Sequence, residues 1–93
     1  MHPSLSIWRV SQNKNLWIKN YDNGKWAVMG KSTYSRGYYV IKFDKNNEKH
    51  PAIQCESLEY GIHVAEKWLE GKEFDRKSVE HWYNVIVNKA VPV

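Results

Sequence analysis

Four histidines (2, 50, 63 and 81), Cys55 and glutamates 66, 70 and 73 are the side chains best suited to acid–base, metal or nucleophilic chemistry in this chain of 93 residues. Their spacing serves none of it. A zinc site needs Cys and His pairs a few residues apart, whereas Cys55 has no second cysteine and His63 stands alone eight positions on. Glutamates three or four residues apart make an acidic helix face more readily than a catalytic pair. No phosphate-cradling loop, dinucleotide fingerprint or nucleophile elbow occurs. A catalytic site also needs convergent groups in a pocket, which so short a chain rarely supplies. The expectation is a non-enzyme with no cofactor and no metal.

The remaining chemistry is that of rings and cations. Residues 15–32 read NLWIKNYDNGKWAVMGKS, placing Trp17, Tyr21 and Trp26 among Lys19, Lys25 and Lys31. Residues 1–54 carry nine Lys/Arg against Asp22, Asp44 and Glu48, a net +6, and eight of the thirteen aromatics. Residues 55–93 carry five Lys/Arg against seven acids, a net −2. The basic half is also the aromatic half, which points to an acidic partner, nucleic acid or protein, met by that half.

The elements that must position these residues follow from their periodicity. Strands are expected at 7–10, 16–21, 25–31 and 38–43, with a short return at 52–55. Asn23-Gly24 is a hairpin signal, since a type I′ turn needs φ > 0 at both central residues. Residues 32–37 and 44–51 read as loops. After Cys55 the period becomes helical. Ser57 can cap a helix with Glu59 in its first turn, and Gly71 suits its end. Leu58, Gly61, Ile62, Ala65, Trp68 and Leu69 form its apolar stripe, with Glu59, His63, Glu66, Lys67 and Glu70 assigned to the opposite side. The small pair Gly61 and Ala65 allows close approach to a sheet. Val79, Trp82, Tyr83 and Ile86 suggest a second helix over about 78–88, although the β-branched run 85–87 also fits an edge strand. The fold expected is α+β: an antiparallel sheet of three to five strands over about 7–55, packed by one long helix at 57–70 and a second, C-terminal helix. All of it forms one small domain, 1–93.

A two-residue turn at Asn23-Gly24 pairs Asp22 with Lys25, Tyr21 with Trp26, Lys19 with Val28 and Trp17 with Gly30. Leu16, Ile18, Ala27 and Met29 then share one face, the natural seat of the helix. Trp17, Lys19, Tyr21 and Trp26, with Tyr38 and Lys42, line the opposite, open face. Rings there can stack on bases at about 1–3 kcal/mol each, while lysines neutralise phosphates. Two other arrangements stay open. Cross-strand pairs such as Tyr21–Trp26 stabilise a hairpin without any ligand, and the sheet can be inverted with its tryptophans inward.

The segments Asn23-Gly-Lys-Trp-Ala-Val28, Tyr38-Tyr-Val-Ile-Lys-Phe43 and Ser57–Trp68 resemble the arm-type DNA-binding domains of phage integrases and the related plant ethylene-response-factor domains. The resemblance spans roughly residues 16–70 and implies a sheet lying in the DNA major groove. It would set Lys19, Lys25, Trp26 and Lys42 at the groove or its phosphates. The chain departs from that group in having only Arg9 and Arg36 in its first half, where the family is arginine-rich. Its 44–51 loop is also longer, and no catalytic domain is attached.

The expected function is therefore nucleic-acid binding, DNA in preference to RNA, through Trp17, Lys19, Tyr21, Lys25, Trp26, Arg36, Tyr38 and Lys42. The alternative is a protein-interaction module, an inhibitor or accessory factor of a mobile element that meets an acidic protein surface through the same Trp/Tyr cluster. A free sheet edge allows a homodimer. No apolar run resembles a signal peptide or a membrane span, and the lone cysteine excludes an internal disulfide. A complete, soluble, cytoplasmic protein with no membrane partner is expected.

Overall fold

The computed structural model describes residues 7–21, 23–32 and 36–92. Five strands, β1 (Arg9–Val10), β2 (Leu16–Asn20), β3 (Trp26–Lys31), β4 (Tyr38–Phe43) and β5 (Ile53–Cys55), precede two helices, α1 (Leu58–Glu70) and α2 (Arg76–Asn84). A π-helical turn, Val85–Lys89, extends α2 and leads into a last short strand, β6 (Val91–Pro92). The sheet order is β5-β4-β3-β2-β1-β6. The first five strands pair antiparallel, and β6 joins the outer edge of β1 in parallel. This is the expected α+β arrangement, enlarged by one strand. The β-branched run 85–87, which also fitted an edge strand, is helical; the edge strand follows it at Val91–Pro92, where Pro92 is tolerated.

The helix α1 forms where its caps and stripe place it. Ser57 Oγ accepts the Tyr60 N–H at 3.2 Å, and Gly71 at φ 73° ends the helix by donating its N–H to Lys67 O. Leu58, Gly61, Ile62, Ala65 and Leu69 are buried against the sheet. A methyl group on Gly61 would come within 3.0 Å of Met29 Sδ, so its absence lets the helix sit close. The core joins Trp8, Val10, Trp17, Ala27, Met29, Val40 and Cys55 to that stripe and to Ile86 of the π-helical turn. The stripe has a member assigned by type to the wrong side: Glu66 is fully buried. Asp75 caps α2, its Oδ1 accepting the Ser78 N–H at 2.8 Å.

The first hairpin differs from expectation by one residue. Trp17 pairs with Met29, Ile18 with Val28, Lys19 with Ala27 and Asn20 with Trp26. The connection is three residues, 22–24, closed by Tyr21 N–H to Lys25 O at 2.9 Å and Gly24 N–H to Tyr21 O at 3.0 Å. Gly24 has φ 90°, the left-handed conformation that a glycine supplies at the end of a three-residue hairpin connection. The reason is a contact from far along the chain. Asn23 Nδ2 donates to Leu69 O at the end of α1 while its Oδ1 accepts the Lys25 N–H, so the Asn23 side chain is tied to the helix on one side and to the turn on the other. The expected Asp22–Lys25 pairing and part of the 32–37 loop lie outside the described residues.

A one-residue shift turns a strand over. Trp17 and Lys19 therefore point at the helices beside Ala27 and Met29, and Leu16 and Ile18 point away. On β4, Tyr38, Val40 and Lys42 lie on the helix side and Tyr39, Ile41 and Phe43 on the other. The open face expected of Trp17, Lys19, Tyr21, Tyr38 and Lys42 is corrected accordingly: of the aromatics grouped there, Trp26 alone is on it.

Candidate binding surfaces

Lys19 is the centre of a buried cluster that ties β2 to both helices. Its Nζ donates to Glu66 Oε1 at 2.8 Å and Oε2 at 3.1 Å. Trp8 Nε1 donates to the same Oε1 at 2.7 Å, and the Trp82 ring covers the ammonium with its centroid 3.6 Å from Nζ. Both charged side chains are at most 1 % exposed. Burial pushes the Glu66 carboxyl pKa up, and the charge and hydrogen bonds of Lys19 with that of Trp8 pull it back. Both carboxylate oxygens of Glu66 accept hydrogen bonds in this buried cluster. Trp17, 6 % exposed, packs nearby with its ring centroid 6.2 Å from that of Tyr38. Tyr21 is half-buried against the same core. Trp17, Lys19, Tyr21 and Tyr38 thus build the interior side of the sheet.

The opposite face of the sheet is the first candidate surface. Leu16, Ile18, Val28, Tyr39, Ile41, Phe43 and Trp26 share it, each half-buried by its neighbours. The Trp26 and Phe43 rings stack at 3.8 Å with 8° between planes, and Trp26 Nε1 donates to Asn47 Oδ1 at 3.0 Å. Each of these rings has spent one face on the other, which leaves less flat surface for a base. Tyr39 lies across Gly30, where a methyl group would meet its hydroxyl oxygen at 2.6 Å. Both helices lie on the other side, and no described element covers this one. The six strands contain no Asp or Glu at all. Arg9, donating to Asn20 Oδ1 at 3.3 Å, and exposed Lys49, bridged to Phe43, give the patch a cationic rim. Leu16 and Ile18 of this surface were expected at the helix seat; the one-residue shift of the hairpin register brings them here.

The second candidate is a groove between the sheet end and α1. Lys25 and Lys42 extend from β3's start and β4 towards Trp68, with Nζ 4.5 and 5.2 Å from its ring centroid. The ring is fixed by Trp68 Nε1 donating to Phe43 O at 3.1 Å, and His50 meets it edge-on at 4.8 Å. Lys25, Lys42 and Trp68, together with Tyr60, His63, Val64, Lys67 and Gly71, line an open groove of about 400 Å³. Glu73, on the segment after α1, is paired to Lys67 and lies 3.4 Å from His63. Lys67's hydrogen bond and charge, with His63 beside it, hold the Glu73 carboxyl below its ordinary value. Lys25 and Lys42 were expected among the binding residues; Trp68, Lys67 and His63 were not, since helical spacing alone does not show which strand ends reach a helix.

Arg36 is exposed in the loop before β4. Cys55 is buried, which raises its thiol pKa and removes it from solvent. Among the described residues no three His, Cys, Asp or Glu side chains approach closely enough to hold a metal, and no helix is long and apolar enough to cross a membrane. Comparison of the chain with protein-family models, curated proteins and solved structures finds no match, so the function must be argued from these surfaces themselves.

Proposed function

We propose that the protein is a non-enzymatic binding module whose open sheet face docks another protein. One observation carries this reading: the rings and aliphatic side chains of β2, β3 and β4 form a continuous apolar patch on the side of the sheet that carries no helix. Contiguous exposed apolar surface with a polar rim is the usual mark of a protein interface. The rim is cationic and the strands hold no carboxylate, so the partner should present an apolar patch bordered by Asp and Glu. Trp26, Phe43 and Tyr39 are the residue types that serve as anchors in such contacts.

The test is a substitution in the middle of the patch. Ile41→Asp, with its circular dichroism and melting curve compared to wild type, should abolish capture of a defined partner that Lys25→Met/Lys42→Met retains. Equal capture by Ile41→Asp would overturn the reading. A dimer in sedimentation that Ile41→Asp dissolves would instead place a second copy of the chain on this face.

Nucleic-acid binding is the second reading. The observation favouring it is that the strands carry Arg9, Lys31 and Lys42 and no carboxylate, Lys19 being the strand cation that Glu66 neutralises, which suits a phosphate backbone. It requires affinity for single- or double-stranded DNA or RNA that falls steeply with salt, and the stacked pair Trp26 and Phe43 would have to part or bind by its edges.

A further inference from the structure

We propose that the groove around Trp68 is a binding site for a phosphoryl group, carried by a nucleotide-sized ester or by a nucleic-acid strand. The proposal is independent of what the open sheet face binds. Three observations lead to it. Lys25 and Lys42 both bring their ammonium groups to one ring, Trp68, so two cations line the same groove. Among the described residues neither has a carboxylate partner; their stabilisation comes from the ring and, for Lys25, the Trp68 carbonyl at 3.5 Å. An anion entering the groove would meet two ammonium groups whose charge no described carboxylate answers. A volume of about 400 Å³ falls within the range of small-ligand sites and admits more than a lone inorganic ion.

The far wall of the groove shows how an anion is held there. Lys67 and His63 converge on the carboxylate of Glu73, an exposed residue that reaches them from the chain after α1. Glu73 is thus a built-in anion on one side of a groove whose other side has none among the described residues. A phosphoryl group, with several oxygens and a double charge, can bridge Lys25 and Lys42 and compete with Glu73 for Lys67. Lysines suit this role as mobile point charges that follow the ligand.

The experiment is a calorimetric titration with ADP and, separately, with a dodecathymidylate oligonucleotide, alongside the indole N–H resonance of Trp68. Saturable binding that shifts this resonance is expected for at least one probe. Lys25→Met/Lys42→Met keeps the apolar stems over the ring and should weaken binding tenfold or more. Glu73→Gln should tighten it a few-fold, a gain that a merely structural role of these residues would not produce. Lys77→Ala removes an exposed charge from α2 and should change affinity little. ADP binding alone identifies a free nucleotide as the source, and oligonucleotide binding that ADP displaces identifies a strand. No saturable binding of either probe, or binding undiminished in the double variant, overturns the proposal.

Discussion

Glu66 and Lys19 show what a buried ion pair costs and what it secures. Taking both charges out of water is unfavourable, and their mutual attraction returns that only because Trp8 and Trp82 complete the shell. Removing one partner strands the other. Glu66→Gln and Lys19→Met are each expected to destabilise by about 3–5 kcal/mol in urea denaturation. The double variant Lys19→Met/Glu66→Leu should recover much of that loss, though not all, because the Trp8 indole N–H loses its acceptor. Additive losses in the double variant would show that the two side chains do not act as a pair. The position of Glu66 was legible, since it lies four residues after Ile62 and three before Leu69 in the buried stripe. Its type misled: a carboxylate in a stripe is assigned to solvent unless its cation is known. That cation sits 47 residues earlier, on a strand whose facing was itself in question.

At the scale of elements, local signals served wherever local contacts decide the structure. The caps and stripe of α1 fixed its ends, and the alternation within β3 and β4 was correct for each strand alone. The facing of β2 against β3 was not legible. Asn-Gly suits a two-residue turn and also the end of a three-residue one, and the choice is made by Asn23 meeting Leu69, 46 residues away. The open surface therefore traded its lysines for Ile18 and Leu16. The second helix shows an opposite dependence, on its own first turn. Asp75 has its carboxyl held below its ordinary value of 3.8 by hydrogen bonds from Ser78, its backbone N–H first. A group with a lowered folded pKa stabilises fully above its unfolded value, and the contribution disappears as pH falls through the folded one. Circular dichroism should thus show α2 loosening below about pH 3.8. Asp75→Ala should lower the melting temperature by a few degrees at neutral pH, whereas Asp75→Asn keeps an acceptor and loses the acid dependence. Identical acid profiles for wild type and Asp75→Asn would rule out this cap as their source.

The whole molecule separates charge by layer, with cations in a sheet that has no acids and most carboxylates in the helical half. This asymmetry was visible in the sequence, while the surface it serves was not, because charge counts carry no facing. The layers are also joined late along the chain, and the parallel pairing of β6 with β1 brings residues 9 and 91 side by side. That pairing has a consequence in time. The β2–β3–β4 meander closes over short loops, so it can form early, whereas β1–β6 contact must wait for nearly the whole chain to be in place. The edge should be the last part to assemble and the first to open. Native-state hydrogen exchange should then find the slowest amides in β3 and the fastest strand amides at Arg9 and Val91. Equal protection at both places would mean that the sheet opens as one unit. If it does not, the protein carries a core that persists while its β1–β6 edge opens and closes.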